Sequence, residues 1–425
     1  MATVSAARGM RDFLPAEKAR REYAFSVIRR VYRRFGFDEI ETPVLENYDR
    51  LHSGLGGDNE KISFNVLKRG LGAEDLRAAA DTDDLASLTD LGLRFDLTVP
   101  LARYYATHRA ELPSVFRSVQ IAPVWRAERP QKGRYRQFVQ SDIDIIGEAG
   151  ILAEIELIGA TTEVLRELGI TGTRVRINDR RLITGMLEAF GFAAEEFAGV
   201  LITIDKLDKI AAAGVIAELR ERGVTASAID ALAAFLETEH ADTAEFSAES
   251  IAARLPAGVA PEVIAELAQI GASTDSELVF DPFLVRGMGY YTGPIFEIEH
   301  ADFGYALGGG GRYDGMIGRF LGQEVPAVGF SIGFERIVDL IEADAASAED
   351  SLVLIYDRNV DPAALIALKN EVAASGTRVR LDKRAKNFRA VLERAAEAGY
   401  TAYATVTAET SGASDLDVKP LGAAE

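Results

Sequence analysis

The sequence predicts an α+β protein with a helical insertion and a small C-terminal α/β domain. Strand patterns and amphipathic helical patterns are mixed over residues 1–195 and again over 278–345. Residues 196–277 are Ala-rich and helical in pattern, without a strand signal. Over residues 350–425 strands and helices alternate as β-α-β-α-β, which is typical of a small α/β domain. We therefore predict that the chain is divided into these four parts, with residues 1–195 and 278–345 forming one domain that residues 196–277 interrupt.

The N-terminal part of the chain predicts a helix, a strand and an insertion. Apolar residues recur at helical spacing within 21–35, and Gly36 ends that helix. Residues 38–45 alternate as a strand does, and Pro43 confines this strand to an edge or a boundary. Residues 55–92 are rich in Gly, Asp and Ala, so we expect an inserted loop and hairpin.

The central part predicts further strands and helices. Residues 94–100 resemble a strand, and a helix follows Pro100. A hairpin is expected from strands at 119–128 and 134–147. The remaining elements are a helix over 151–168, strands over 174–179, 278–287 and 294–300, a Gly-rich turn at 308–315, a strand over 325–333 and a helix over 334–342. In the C-terminal part, strands at 353–356, 378–382 and 402–406 alternate with helices at 363–374 and 387–398.

Composition excludes several kinds of site. The chain has no cysteine, which excludes disulfides, thiolate metal sites and cysteine nucleophiles. Its four histidines have no metal-binding spacing, so we predict no metal ligands in the protein. No apolar run reaches about 18 residues, so no membrane span is expected. The first residues lack the apolar stretch of a secretory signal, and we expect a cytoplasmic protein.

The charge is unevenly distributed. A formal net charge of −19 argues against a protein that coats nucleic acid non-specifically. Two segments are nevertheless basic, because residues 378–394 hold seven Lys/Arg against two Asp/Glu and residues 117–136 hold six against one. Either segment could receive a polyanion or form a solvated face, and charge alone leaves both readings open.

Polar side chains share one face of the predicted hairpin. On the second strand this face carries Arg136, Phe138, Gln140, Asp142 and Asp144, and on the first it carries Val124, Arg126 and Glu128. Arginines suit phosphate oxygens through paired donors, and Phe138 could stack on a base. Gln140 and Asp144 would offer polar and anionic groups to a cationic or amide-bearing substrate. A solvated hairpin with one polar face is the alternative.

Four other segments carry residues of the same kinds. They are the strand 94–100 with Arg94, Asp96 and Thr98 on one face, the turn that follows Arg286 and leads to Tyr290 and Tyr291, the glycines of 308–315, and the helix that carries Arg336. Glycines allow a backbone to approach a ligand closely, although a glycine run can equally form a plain tight turn.

Taken in order, these segments resemble the histidyl-tRNA synthetase family of class II aminoacyl-tRNA synthetases. The resemblance begins at RGMRDFLP and covers nearly the whole chain. GFDEIETPVLE is similar to motif 1, VWRAERPQKGRYRQF to motif 2 and VGFSIGFERI to motif 3. LVRGMGYY and GGGGRYDG are similar to the two histidine-specific segments, although Gly289 stands where the family usually has Asp.

The resemblance implies an antiparallel class II sheet flanked by helices and an anticodon-binding-like C-terminal domain. It also implies a homodimer that activates histidine with ATP and Mg²⁺ and charges tRNA(His). The implied ATP-binding residues are Arg126 at the α-phosphate, Arg336 at the γ-phosphate, and Glu128, Arg134 and Phe138, with Phe138 stacked on adenine. The implied histidine-binding residues are Asp96, Thr98 and Gln140 at the ammonium group, Asp144 and Tyr291 at the imidazole, and Tyr290 and Arg286.

Two residues would have catalytic roles under this resemblance. Arg126 and Arg286 would stabilise charge at the α-phosphate as pyrophosphate leaves. Lys132 and Arg129 could meet the acceptor end of the tRNA, and the basic segment 378–394 could face the anticodon. The alternative is a non-charging paralog, the histidine-binding regulatory subunit of ATP phosphoribosyltransferase. That class generally lacks the anticodon domain and has lost ATP-binding arginines.

Overall fold

The computed structural model describes residues 4–52, 62–130, 133–238, 245–286, 290–341 and 350–421. The chain forms two compact units. The first comprises the described residues of Met1–Arg11 and Val27–Leu340, and the second those of Asp12–Ser26 and Ile341–Glu425. No helix within these described ranges is long and apolar enough to cross a membrane.

A largely antiparallel sheet is the main feature of the first unit. The strands of this unit, in both of its sheets, are β1 (Asp38–Glu39), β2 (Leu45–Asn47), β3 (Phe64–Leu67), β4 (Thr89–Leu93), β5 (Phe116–Trp125), β6 (Gln137–Ile146), β7 (Thr173–Asp179), β8 (Leu278–Phe280), β9 (Pro294–His300), β10 (Phe303–Arg312) and β11 (Ala327–Gly333). Among the described residues, eight strands pair in the order β1-β5-β6-β11-β10-β9-β7-β8. All neighbours are antiparallel except the pairs β1–β5 and β7–β8. A smaller antiparallel sheet has the order β2-β4-β3.

Helices cover this sheet and fill the segment between β7 and β8. They are α1 (Pro15–Arg34), which spans the two units, α2 (Tyr48–His52), α3 (Ala73–Thr82), α4 (Thr98–His108), α5 (Leu152–Glu167), α6 (Arg180–Phe190), α7 (Phe197–Ile204), α8 (Leu207–Arg222), α9 (Ala226–Glu237), α10 (Ala248–Ala252), α11 (Pro261–Ala272), α12 (Asp314–Leu321) and α13 (Phe334–Val338). The helical pattern of 196–277 is therefore confirmed where the chain is described, whereas the domain boundaries stay a prediction.

The predicted hairpin is confirmed as β5 and β6. These strands pair along their full length, with Ser118 opposite Asp144 and Ala122 opposite Gln140. The second half of β6 is buried on both faces, and α5 packs against it. Ile143 and Ile145 contribute to the core on one face. The polar residues of the opposite face are consequently enclosed.

The strand predicted at 94–100 is wrong. β4 ends at Leu93 and α4 begins at Thr98, so Asp96 and Thr98 do not share a strand face. The Asp96 carboxylate accepts a hydrogen bond from the backbone N–H of Val99 (3.2 Å), which supports the first turn of α4. Arg94 is buried and donates to the carbonyl oxygens of Thr42 and Pro123, so its side chain anchors the loop.

The turn predicted at 308–315 is also wrong, because residues 308–312 belong to β10. A Cβ atom on Gly310 would lie 1.9 Å from the carbonyl oxygen of Gly329 in β11. Glycine is thus required for strand packing here, and a Gly-rich sequence can hide a strand.

Other strand predictions were too long. The segment 38–45 forms β1 and β2 in different sheets on either side of Pro43, and the strand predicted at 278–287 ends at Phe280. The hairpin predicted within 55–92 is present as β3 and β4, but helix α3 between them was missed.

The second unit contains the predicted β-α-β-α-β order. Its elements are β12 (Ser351–Tyr356), α14 (Pro362–Ala374), β13 (Arg378–Lys383), α15 (Phe388–Glu397), β14 (Ala402–Val406) and β15 (Lys419–Pro420), together with the N-terminal part of α1. The sheet order is β13-β12-β14-β15, and only the last pair is antiparallel among the described strands.

A buried ion pair ties α5 to the end of β10. Arg312 donates from Nε and Nη2 to the two carboxylate oxygens of Glu154, at 2.7 and 2.8 Å. The guanidinium also donates to the carbonyl oxygens of Glu148 and Gly150, so the buried charge is fully surrounded by partners.

We expect the Glu154→Ala substitution to lower the free energy of unfolding by up to about 3–5 kcal/mol, because it removes the two-oxygen partner of the buried Arg312. The one carboxylate contact then left to Arg312 among the described residues is the longer one to Asp314, at 3.4 Å. Guanidinium chloride unfolding measures this loss. The matched control is Glu39→Ala, which breaks an exposed pair with Arg29 and should cost about 0–1 kcal/mol. Equal losses in the two variants would contradict the prediction.

Candidate active site

Three aspartates converge beside the middle of the large sheet. Asp142 and Asp144 lie on the enclosed face of β6 and are buried, and Asp96 is half-buried at the start of α4. The Tyr313 hydroxyl donates to Oδ1 of Asp144 at 2.6 Å. Gly329 in β11 lies against the same carboxylate, because a Cβ there would be 2.1 Å from Oδ1.

Burial makes these carboxyl groups less acidic. It raises the pKa of Asp144 to about 7, although the Tyr313 hydrogen bond opposes the rise. It raises the pKa of Asp96 to about 6, against the Val99 N–H and the charge of Arg126. The pKa of Asp142 lies well above its ordinary value, through burial and then the charge of Asp144. A cationic ligand in this pocket would favour the ionised carboxylates and lower their pKa values.

Gln140 presents an unused acceptor in the same pocket. Its Nε2 donates to the Ser331 hydroxyl at 3.1 Å and lies 3.3 Å from an oxygen of Asp142. Its Oε1 is buried and has no hydrogen-bond partner among the described residues. Buried polar atoms without partners are uncommon, and one explanation is a ligand N–H group that binds there.

Two adjacent tyrosines border the aspartates. The hydroxyls of Tyr290 and Tyr291 are 3.2 Å apart, and their ring centroids are 4.4 Å apart. Burial raises the pKa of both hydroxyls, so they are neutral hydrogen-bonding groups. Gly311 in β10 allows the Tyr291 ring to approach, since a Cβ there would lie 3.0 Å from Cδ1.

Arginines gather on the other side of this pocket. Arg286 lies across the backbone of Gly309, where a Cβ would be 1.3 Å from its Nη1. Its Nε is 3.1 Å from Oε2 of Glu297, and its Nη1 donates to the Gly308 carbonyl at 3.3 Å. The glycine therefore makes room for the guanidinium on the sheet.

Arg336, at the start of α13, lies close enough to Arg286 and Arg134 for their positive charges to act on it. It donates to the Ala306 carbonyl and lies over the Tyr305 ring, 5.0 Å from its centroid. Burial lowers its pKa, and the positive charges of Arg286 and Arg134 lower it further. Several cations that disfavour one another's charge in this way are suited to bind a polyanion such as a polyphosphate.

Arg126 lies beside the acidic groups. Its Nε donates to the Phe95 carbonyl at 3.0 Å, and its guanidinium carbon is 5.1 Å from the centroid of the Phe138 ring. Its positive charge acts on Asp96 and Asp142. The acidic and basic halves of the site adjoin at Tyr290 and Tyr291, whose hydroxyls are influenced both by the aspartates and by Arg286.

The structure brings most of the sequence-predicted residues to this one region. The carboxylates, Gln140, the tyrosine pair and Arg126, Arg286 and Arg336 interact as described above. Thr98 is half-buried at the first position of α4, and the side chains of Glu128 and Thr98 make no hydrogen bond within the described residues. Gly289 and Lys132 lie outside the described residues. The role assigned to each residue stays a prediction.

Sequence reasoning missed three contributors. Asp142 shares the face of Gln140 and Asp144, so strand alternation pointed to it without assigning a role. Tyr313 was hidden in the predicted turn, and its bond to Asp144 joins residues 169 positions apart. Glu297 lies in the confirmed strand β9, but its contact with Arg286 depends on tertiary structure.

Comparison with known proteins agrees with this geometry. The family model described as histidyl-tRNA synthetase matches residues 9–337. The chain belongs to the histidyl-tRNA synthetase family.

Curated members of the family are similar over almost the whole chain. The histidine–tRNA ligase of Leifsonia xyli subsp. xyli is 60% identical over 97% of each chain. A probable histidine–tRNA ligase of Tropheryma whipplei is 43% identical over 93% of this chain and 94% of its own. The family name implied by the sequence motifs is therefore confirmed.

Solved structures share the fold. The histidyl-tRNA synthetase of Nostoc sp. PCC 7120 has a TM-score of 0.78 at 25% identity and covers 100% of this chain and 96% of its own. A protein titled ATP phosphoribosyltransferase regulatory subunit/histidyl-tRNA synthetase, from Bacillus halodurans, has a TM-score of 0.74 at 20% identity. It covers 96% of this chain and 99% of its own and supports the fold alone. The class II antiparallel fold expected from the sequence is thus confirmed.

We expect Gly309→Ala to displace the Arg286 guanidinium, because the new methyl group would occupy the position of Nη1. Histidine-dependent exchange of pyrophosphate into ATP, the usual assay of this family's first step, should fall by about 10²-fold. The control is Gly304→Ala on the same strand, where a Cβ would have no neighbour within 4 Å. Parental exchange in a folded Gly309→Ala protein would contradict the assigned geometry.

The raised pKa of Asp144 predicts a pH-dependent stability cost. Between the pKa of an unfolded carboxyl group and about 7, the folded protein binds the Asp144 proton more tightly, so ionisation removes stability as pH rises. The new side chain of the Asp144→Asn variant cannot ionise, so this variant avoids the loss. The melting temperature of Asp144→Asn minus that of the parent should therefore increase between pH 5 and pH 8. Asp81→Asn on exposed α3 is the control. A difference between Asp144→Asn and the parent that does not change with pH would refute this.

Proposed function

We propose that this chain joins histidine to ATP as histidyl-adenylate and then transfers the histidine to tRNA(His). Membership of the histidyl-tRNA synthetase family supports this proposal. The single structural observation that carries it is a buried acidic pocket next to a group of arginines, with the Tyr290–Tyr291 pair under the electrostatic influence of both. A cationic amino acid and a polyphosphate would each find the opposite charge there.

The acidic pocket suits histidine. The Tyr313 hydroxyl uses Oδ1 of Asp144, which leaves Oδ2 for an imidazole N–H, with Tyr291 close by. Asp96, Thr98 and the unused Oε1 of Gln140 would receive the α-ammonium group. Such a site discriminates strongly against an apolar side chain, because the analogue would leave these buried groups unpaired.

The arginines suit the phosphates of ATP. Arg126 and Arg286 would hold the α-phosphate and Arg336 the γ-phosphate. Glu128 and Arg134 would help to hold the nucleotide, and Phe138 would stack on adenine. The histidine carboxylate attacks the α-phosphorus, a new P–O bond forms, and the bond to the β-phosphate oxygen breaks to release pyrophosphate. No proton has to move, so the protein's task is to position the reactants and stabilise charge.

Mg²⁺ would accompany ATP. In the described parts of the chain, no group of three or more His, Asp or Glu side chains is arranged to hold a metal ion. The ion would then be held mainly by phosphate oxygens, where it neutralises charge on the triphosphate. We therefore assign no protein ligand to it.

The second unit would serve the tRNA. Its segment 378–394 is strongly basic, and the guanidinium carbons of Arg378 and Arg380 lie 4.3 and 4.6 Å from the centroid of the Tyr400 ring. Cations on a partly exposed strand can meet a phosphate backbone, and we infer that this surface faces the anticodon side of the tRNA. From the family we also infer a homodimer that works in the cytoplasm.

The Bacillus halodurans structure makes a regulatory paralog the second candidate, because it shares the fold. Two observations argue against that candidate. Arg126, Arg286 and Arg336 are all retained beside the acidic pocket, and the C-terminal α/β unit is present. A subunit that only senses histidine would need neither feature.

Two assays test the proposed function. The purified chain should catalyse exchange of labelled pyrophosphate into ATP only when histidine is present, and it should then charge a tRNA(His) transcript. Folded protein without exchange would overturn the enzyme assignment. Exchange without charging would indicate a specialised paralog that forms the adenylate and does not use tRNA.

A further inference from the structure

Glu297 lies between two arginines on the surface of the large sheet. Its Oε2 is 3.1 Å from Nε of Arg286, and its Oε1 is 3.5 Å from Nη1 of Arg176. The carboxylate is largely buried, with 18% of its side chain exposed, whereas Arg286 and Arg176 are 30% and 19% exposed. These pairs are therefore better protected from solvent screening than a surface ion pair.

The contacts of Arg286 determine which way its guanidinium faces. Nε forms an ion pair with Glu297, Nη1 donates to the Gly308 carbonyl, and the guanidinium occupies the space above Gly309 that a Cβ would fill. Within the described residues, Nη2 makes no hydrogen bond. A planar guanidinium held at two of its nitrogens cannot rotate freely, so its third nitrogen keeps a fixed direction.

Arg176 holds Glu297 from the neighbouring strand. β7 and β9 are antiparallel, and their register sets Arg176 directly opposite Glu297. Arg176 is itself fixed by Asp281, with Nε 2.9 Å from Oδ2, and by Asp208 at the start of α8, at 3.2 Å. Burial alone would lower the pKa of Arg176, but the charges of these acidic neighbours raise it above its ordinary value. The cation that anchors Glu297 is thus always charged.

We propose that Glu297 is a positioning residue for Arg286, and that Arg176 fixes Glu297 in turn. Glu297 acts through Arg286 and touches no substrate. The inference rests on the proposed function, in which Arg286 binds the α-phosphate during adenylate formation. Its consequence is that the strand pair β7–β9, which adjoins the helical segment through Asp208, determines how accurately a charge-stabilising arginine is aimed.

The test compares the single-turnover rate of adenylate formation in Glu297→Ala with that in the parent. Both rates are normalised to the concentration of active sites, which is measured by titration. We expect the rate constant at saturating substrates to fall by about 10–100-fold, because a misplacement of about 1 Å is enough for such a loss. The KM for histidine should stay within about twofold, since the acidic pocket is unchanged. Titration of active sites separates this loss from a smaller folded fraction.

Two further variants make the test specific. Glu299→Ala removes the same residue type from the same strand, but Glu299 pairs mainly with Arg174 and only at 3.6 Å with Arg176. Its rate constant should remain within about twofold of the parent. Glu297→Gln keeps an acceptor for Nε and should recover part of the rate lost in Glu297→Ala. A loss in Glu299→Ala equal to that in Glu297→Ala would overturn the inference.

A double-mutant cycle with Arg286→Ala distinguishes the inference from the proposed function. If Glu297 acts through Arg286, adding Glu297→Ala to Arg286→Ala should change the rate constant by less than about twofold. Two outcomes would overturn the inference alone. In the first, the rate constant falls in Arg286→Ala but stays at the parental value in Glu297→Ala. In the second, the losses of the two single variants multiply in the double variant. Near-parental adenylate formation in Arg286→Ala would overturn the role of Arg286 itself, and the inference with it.

Discussion

The burial of two aspartates on one strand face, two residues apart, is the constraint on which the rest of the site depends. Asp142 and Asp144 cost free energy to ionise, because they are removed from water and repel each other. The Tyr313 hydroxyl, the Ser331 hydroxyl and the charge of Arg126 offset part of that cost. What remains is a pocket whose carboxyl groups ionise more readily when a cation enters it, and we propose that this cation is an amino acid with an ammonium group and an imidazole.

Room for such a pocket has to be made by the neighbouring strands. Gly329 leaves space for the Asp144 carboxylate, Gly311 for the Tyr291 ring and Gly309 for the Arg286 guanidinium. Each of these glycines lies within a sheet strand, where glycine ordinarily weakens packing. Here the missing side chains leave room for charged and aromatic groups to approach the strand backbone. Both the acidic and the basic half of the site therefore depend on glycines in the neighbouring strands.

The sequence predicted the elements of this protein better than the contacts between them. The β5–β6 hairpin and the C-terminal β-α-β-α-β order were predicted from the alternation of side chains in strands and the helical spacing of apolar residues. Such local patterns determine these elements. The glycine run was mistaken for a turn, since the pattern of residues 308–312 does not reveal what packs above them. Asp96 was expected on a strand, but its hydrogen bond to Val99 favours a helix start. The bonds of Tyr313 and Glu297 join distant segments, so only the folded chain could reveal them.

We propose that one sheet surface directs a carboxylate toward the imidazole and an arginine toward the reacting phosphate. The most direct measurement is a crystal structure with a non-hydrolysable histidyl-adenylate analogue. We predict an imidazole N–H within about 3.0 Å of an Asp144 oxygen, and Nη2 of Arg286 within about 3.0 Å of the oxygen that replaces an α-phosphate oxygen. An imidazole bound away from Asp144, or an Arg286 guanidinium turned away from the analogue, would contradict the account.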